Sequence, residues 1–130
     1  MQQQFVTAGH DGTATAGDYG VAVAGHEGAA TAGNRGEARA GNSGAATAGV
    51  GGAATVGEYG LAVAGDWGTA TAAEGSFVMA GEMGTICIWR HDGERRRLIV
   101  GYVGENGIEP NVAYRLDREG RFVRADGGAA

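Results

Sequence analysis

The chain has 130 residues and a formal net charge of -5, with 27 glycines, 43% hydrophobic residues, one proline and one cysteine. Glycine does not recur every third residue, which excludes collagen, and the lone Cys87 excludes a disulfide scaffold. No stretch approaches the ~20 apolar residues of a membrane-spanning helix. Met1-Gln2-Gln3-Gln4 lacks the positive charge and following apolar run of a signal peptide, so a cytoplasmic location is expected.

Charge is divided unevenly. Residues 1–88 hold eight acids and two arginines, a sum of -6; residues 89–130 hold seven acids and eight arginines, a sum of +1. An acidic first segment argues against a direct grip on nucleic acid, because phosphate binding needs positive charge. It suits a basic protein surface, or simply solubility.

A repeat of eight residues runs from the start of the chain. Glycine stands at 9, 17, 25, 33, 41, 49, 57 and 65, and a second glycine series stands at 12, 20, 28, 36, 44, 52, 60 and 68. Between them the chain reads x-Ala-x-Ala, as in Thr13-Ala14-Thr15-Ala16. The register persists in weaker form through Ala73–Ala80 and Gly81–Ile88, making ten octads. Alternation of period two predicts strands, with alanine inward and the variable residues in solvent. The Gly-x-x-Gly step predicts a corner, with glycine supplying positive φ. Short strands and corners at a fixed period predict an all-β solenoid over residues 5–88. Alanine leaves little interior volume, which favours flattened 16-residue coils over triangular 24-residue ones. The flat coil also stacks Leu61 and Val63 beside Phe77 and Met79, gathering four large apolar residues into one outward patch.

After Gly84 the composition changes. Ile86 and Ile88 take inward positions, so the interior widens. His91-Asp92-Gly93-Glu94 predicts a turn, Arg95–Val103 a return strand, and Gly104–Asn111 a loop. Ala113–Leu116 and Arg121–Arg124 predict a final strand pair about the turn Asp117–Gly120. Residues 89–125 thus read as a β-hairpin cap that also offers a dimerisation segment, and 126–130 as a tail.

The ending Gly104-Glu105-Asn106-Gly107-Ile108-Glu109-Pro110-Asn111, with Tyr114-Arg115-Leu116-Asp117 and Gly120-Arg121-Phe122-Val123, resembles that of uncharacterised phage and bacterial octapeptide-repeat proteins. In those, Gly/Ala/Thr octads precede an "IxPxxxYxL" ending. The resemblance implies a phage or prophage setting, hence a bacterial cytoplasm, and brings no catalytic residues. The octads are more loosely similar to the repeats of ice-nucleation proteins.

Catalysis finds no support in the motifs. Cys87 has no histidine at a recognisable spacing, and the Gly-x-x-Gly steps repeat without the helix that follows a phosphate loop. The reading is therefore a non-enzyme without cofactors. His10 and His26 lie side by side on flat coils, next to Asp11 and Glu27, but a solvated polar corner accounts for them better than a metal site. Asp18, Tyr19, Glu58, Tyr59, Asp66, Trp67 and Glu82 pair exposed aromatics with carboxylates at corners and are the candidate contacts for a basic partner. The simpler reading is that the aromatics pack along neighbouring coils. Leu61, Val63, Phe77 and Met79 are covered either by the C-terminal strands or by a second copy, and a homodimer is favoured.

The expected function is an interaction protein whose rigid acidic surface blocks a basic host protein, for example a nucleic-acid-handling defence complex. Inhibition by resembling DNA is one form of it. A structural module of a phage particle is the first alternative. Ice binding is the second, although charges and large apolar residues interrupt both threonine rows.

Overall fold

The computed structural model describes residues 5–91, 93–105, 107–117 and 120–124. The octads form short strands: β1 (Phe5–Thr7), β2 (Thr13–Thr15), β3 (Val21–Val23), β4 (Ala29–Thr31), β5 (Glu37–Arg39), β6 (Ala45–Thr47), β7 (Ala53–Thr55), β8 (Leu61–Val63), β9 (Thr69–Ala72), β10 (Phe77–Met79) and β11 (Thr85–His91). Odd-numbered strands stack in one parallel sheet and even-numbered strands in another. Each strand pairs with the one 16 residues on, as in Ala22↔Ala38 and Ala30↔Ala46. The molecule is a β-solenoid of flattened 16-residue coils, two octads to a coil.

Alanine is what allows the two sheets to close on each other. Ala14, Ala22, Ala38, Ala46, Ala54, Ala62 and Ala70 are fully buried at 0% exposure. At these sites a methyl group fills the space between the sheets, and a larger side chain would press them apart; valine enters the interior at a few other positions, such as Val56 and Val78.

The corners depart from the sequence expectation. Positive φ falls on the second residue between the two glycine series rather than on the series glycines, and that residue is itself glycine at two corners, Gly51 and Gly75. Asp11, Tyr19, Glu27, Arg35, Ser43, Tyr59, Trp67 and Met83 all have φ between 57° and 63°. Positive φ at the third position, with Gly12 N–H donating to Gly9 C=O at 3.0 Å, is the pattern of a type II turn. Left-handed backbone costs roughly 1–2 kcal/mol per non-glycine residue. The compensation is local: the strained N–H donates to the next coil, as from Asp11 to His26 C=O (3.0 Å) and from Trp67 to Glu82 C=O (2.9 Å). The hydrogen-bond ladder therefore continues around the corner.

The flanking glycines serve close approach instead. A Cβ on Gly36 would lie 2.8 Å from the Gly20 carbonyl oxygen and 2.8 Å from Ala32 Cβ. A Cβ on Gly41 would lie 3.0 Å from the His26 nitrogen of the preceding coil, whereas Gly9, in the first coil, would meet nothing within 4 Å. The leading corner glycines are demanded by the stacking of coils, and the trailing ones also by the residue before their own corner, since a Cβ on Gly12 would lie 2.8 Å from Ala8 Cβ. Ser76, standing where the repeat has glycine, is 1% exposed. Its hydroxyl accepts from Gly60 N–H (3.1 Å) and donates to Gly57 C=O (2.9 Å), closing the preceding coil's corner through a side chain.

The C-terminal segment widens the same two-sheet body. β11 begins as the last solenoid strand and runs on for seven residues. The border between solenoid and cap thus falls within a strand. It pairs antiparallel with β12 (Arg96–Tyr102), while β13 (Tyr114–Leu116) joins β10 through Val78↔Tyr114 and pairs with β14 (Phe122–Arg124). The cap is two hairpins, one extending each sheet. Ile86, Ile88, Val103, Ile108 and Tyr114 are buried in one core cluster, with Phe122 and Leu116 packed against it. The Tyr114 hydroxyl accepts from Glu109 N–H at 2.7 Å and donates to Gly107 C=O at 3.3 Å, tying the connecting loop to the sheet. Asn111 N–H donates to Ala80 C=O at 2.8 Å, docking that loop on the last complete coil. The expected tail, the Asp92 turn residue and Asn106 lie outside the described residues.

Candidate interaction surfaces

The solenoid has two edges, each a row of corners. The edge following the odd strands carries Asp11, Glu27, Glu58 and Glu74; the edge following the even strands carries Asp18, Asp66 and Glu82 together with Arg35. The eighth acid of residues 1–88, Glu37, lies on an outer face and pairs with Arg39 at 3.0 Å. The candidate contacts therefore divide. Glu58 and Tyr59 lie on the first edge. Asp18, Tyr19, Asp66, Trp67 and Glu82 lie on the second.

Several corner side chains hold the coils together. Asp18 Oδ1 accepts from Asn34 N–H and Asp66 Oδ1 from Glu82 N–H, each at 2.9 Å. Asn34 and Asn42 act likewise toward Val50 (3.1 Å) and Glu58 (3.0 Å). Sequence reasoning missed this ladder. Its signal is a short Asp or Asn recurring at the first residue after the corner glycine. The aromatics are presented outward: Tyr59 is 73% exposed and Trp67 66%. Tyr59 also lies over Gly75, where a Cβ would come within 2.7 Å of its ring.

On the second edge, Asp66 and Trp67 stand directly below Glu82 and Met83 on consecutive coils. The four residues form an exposed group of one indole, one thioether and two carboxylates, and neither corner contributes an arginine. The inter-coil hydrogen bonds from Trp67 N–H and Glu82 N–H fix the backbone beneath them.

The expected apolar patch forms in register, with Leu61↔Phe77 and Val63↔Met79 paired on the outer face of β8 and β10. The C-terminal strands add to the edge of this sheet rather than folding over its outer face, so Leu61 and Phe77 remain exposed at 37% and 39%. The opposite sheet carries a second outward apolar group that the sequence analysis did not assign. Trp89↔Leu98 and Cys87↔Val100 are cross-strand pairs, and Tyr102 continues the row on β12. Leu98, Val100 and Tyr102 are exposed, and Arg96 lies over the Trp89 ring at 4.9 Å. The alternation Leu98-x-Val100-x-Tyr102 was the available signal. Where β11 and β12 run past the first edge, Trp89, His91 and Arg96 face Glu58 and Glu74 across a groove of about 630 Å³.

Little here is arranged for chemistry. His10 and His26 stack with ring centroids 5.1 Å apart, and His26 Nδ1 accepts from Asn42 N–H at 3.2 Å. Among the described residues no three His, Cys, Asp or Glu side chains converge as a metal site. Burial pushes the Cys87 thiol above its ordinary range, against a smaller opposing effect of a hydrogen bond with Thr71. Thr15, Thr31 and Thr47 align in one column, which Val63 and Met79 then continue. No helix is long and apolar enough to cross a membrane among the described residues, which says nothing of β-barrels. Compared with known families, curated proteins and solved structures, the chain matches none.

Proposed function

We propose that this protein is a non-enzymatic interaction module that engages a basic surface on another protein. The observation that carries the reading is the Asp66–Trp67–Glu82–Met83 group on the second edge. A large exposed indole flanked by two carboxylates suits an arginine or lysine side chain, which gains a ring face and a counter-charge together. The underlying ladder holds the group rigid, so little side-chain and loop ordering opposes binding. Asp18 and Tyr19 repeat the pairing three coils earlier on the same edge. Glu58 and Tyr59 offer it on the first edge, which carries four carboxylates in all.

The resemblance of the ending to phage repeat proteins supports a host protein as the target, and blocking its basic site as the activity. Duplex DNA carries a charge every ~1.7 Å, whereas coils ~4.8 Å apart carry at most one carboxylate each along an edge. Resemblance to DNA is thus a weaker form of the proposal than a discrete anchor.

The test is affinity capture from bacterial lysate with the wild-type chain and two variants. Asp66→Asn removes charge and keeps the inter-coil acceptor, since Asn34 and Asn42 already fill that role. Trp67→Ala removes the anchor. A partner released by moderate salt, weakened by Asp66→Asn and lost with Trp67→Ala, supports the proposal. Loss of an anchor of this kind lowers affinity by roughly tenfold or more. Binding that ignores both substitutions and salt refutes it. A structural role in a larger assembly is the second reading, favoured by the apolar residues on both outer faces near the C-terminal end. It expects large homo-assemblies by light scattering and unchanged behaviour in both variants.

A further inference from the structure

We infer that β12 is a self-recognition edge: two copies of the chain join by antiparallel pairing of Arg96–Tyr102 with itself, centred on Ile99. Among the described residues β12 is the last strand of its sheet and has a strand neighbour on one side only. Its seven residues make it, with β11, the longest strand among the described residues, whereas β1 to β10 have three or four. An exposed strand of this length presents a row of backbone donors and acceptors to any second strand.

The sequence of the strand selects the occupant and the register. Arg95, Arg96 and Arg97 are gathered at one end, and Leu98 to Tyr102 carries no charge. Parallel self-pairing would lay arginines against arginines, and like charges opposite each other are destabilising. Antiparallel pairing about Ile99 separates them to the two ends of the ribbon. It sets Leu98 opposite Val100, Arg96 opposite Tyr102, and Arg97 opposite Gly101, which has no side chain to oppose it. Leu98 and Val100 share the outer face with Trp89 and Cys87. The pairing would fuse the two apolar rows into one strip, with Arg96 and Tyr102 of opposite copies in contact at each end. Arginines at one end only are thus a guard that rejects parallel pairing and leaves this pairing open.

The interface differs from the Leu61/Val63/Phe77/Met79 patch, which lies on the other sheet. It is also independent of the partner surface at Trp67. Mass in solution, by light scattering after size exclusion, is the readout. The wild-type chain should run at twice its 13.0 kDa. Leu98→Glu alone and Val100→Arg alone should each weaken the dimer on the order of tenfold, since every substitution acts in two symmetric pairs. The double variant Leu98→Glu/Val100→Arg should recover the dimer, because in this register the new carboxylate of each copy faces the new guanidinium of the other. Circular dichroism confirms that each variant folds, and the rescue excludes simple misfolding. A monomeric wild-type chain overturns the inference. So does a dimer that survives both single variants, or one abolished instead by Leu61→Asp/Phe77→Asp.

Discussion

The solenoid and its cap belong to the same two sheets yet are stabilised in different ways. In the coils the interior is alanine at most positions, with valine at a few such as Val56 and Val78, and cohesion comes from the inter-coil ladder and from glycines that let backbones touch. In the cap the interior is Ile86, Ile88, Val103, Ile108 and Tyr114, and cohesion comes from larger apolar side chains. The first region tolerates little added volume. The second tolerates no lost volume. A repeat of minimal side chains can be extended indefinitely but cannot end itself, because its last coil leaves open strand edges. The cap supplies both the larger core and the antiparallel strands that cover β10 and β11.

The sharpest break of this comparison is truncation in the cap. Ile88→Ala should destabilise the protein by ~2–5 kcal/mol in urea denaturation, through lost burial and the cavity left behind. The converse test enlarges a corner. Gly41→Ala should cost about 1–3 kcal/mol, because its new methyl meets the Gly25 and His26 backbone of the preceding coil. Gly9→Ala, at the equivalent open corner of the first coil, should leave the midpoint nearly unchanged. If both glycine variants behaved alike, turn conformation rather than coil stacking would be the reason for the repeat.

A smaller effect separates polar from apolar cohesion in the cap. Tyr114→Phe keeps the ring and removes the hydroxyl that holds Glu109 N–H and Gly107 C=O. A loss of about 1–2 kcal/mol in thermal or urea unfolding is expected. Hydrogen exchange at Glu109 should quicken, while the coils stay protected.

The smallest effect concerns Cys87, at the junction of the two regions. Its raised thiol stays protonated where an ordinary cysteine begins to ionise. Alkylation of the folded chain should therefore lag that of the urea-unfolded chain from neutral pH up to the ordinary thiol range. The unfolded state releases this proton first, so the group's contribution to stability is present below the ordinary thiol range and declines as pH rises through it. Equal alkylation rates for folded and unfolded chains would contradict the burial of the sulfur.

The octad by itself determined the architecture. Period-two alternation and a fixed spacing of glycines admit only strands joined by corners, and alanine on the inward side admits only a thin interior. The flat coil and the alignment of Leu61 with Phe77 followed from those two facts. The cap strands were legible as well, to within about a residue, because turn residues separate them.

Tertiary structure decided what a single coil cannot express. The N–H of the left-handed residue, as at Tyr19 and Trp67, finds its acceptor in the next coil, a partner that no local preference reveals. The same is true of the leading corner glycines, such as Gly25 and Gly41, whose need for space comes from a neighbouring coil. Asp18 and Asp66 read in sequence as free charges, and only stacking turns them toward the N–H groups of Asn34 and Glu82. Grouping Asp66 and Trp67 with Glu82, and setting Leu98 beside Trp89, likewise required the register between strands. Contacts of this kind lie between residues 9 to 16 apart in the chain, where packing and backbone pairing choose the neighbour and sequence spacing alone does not.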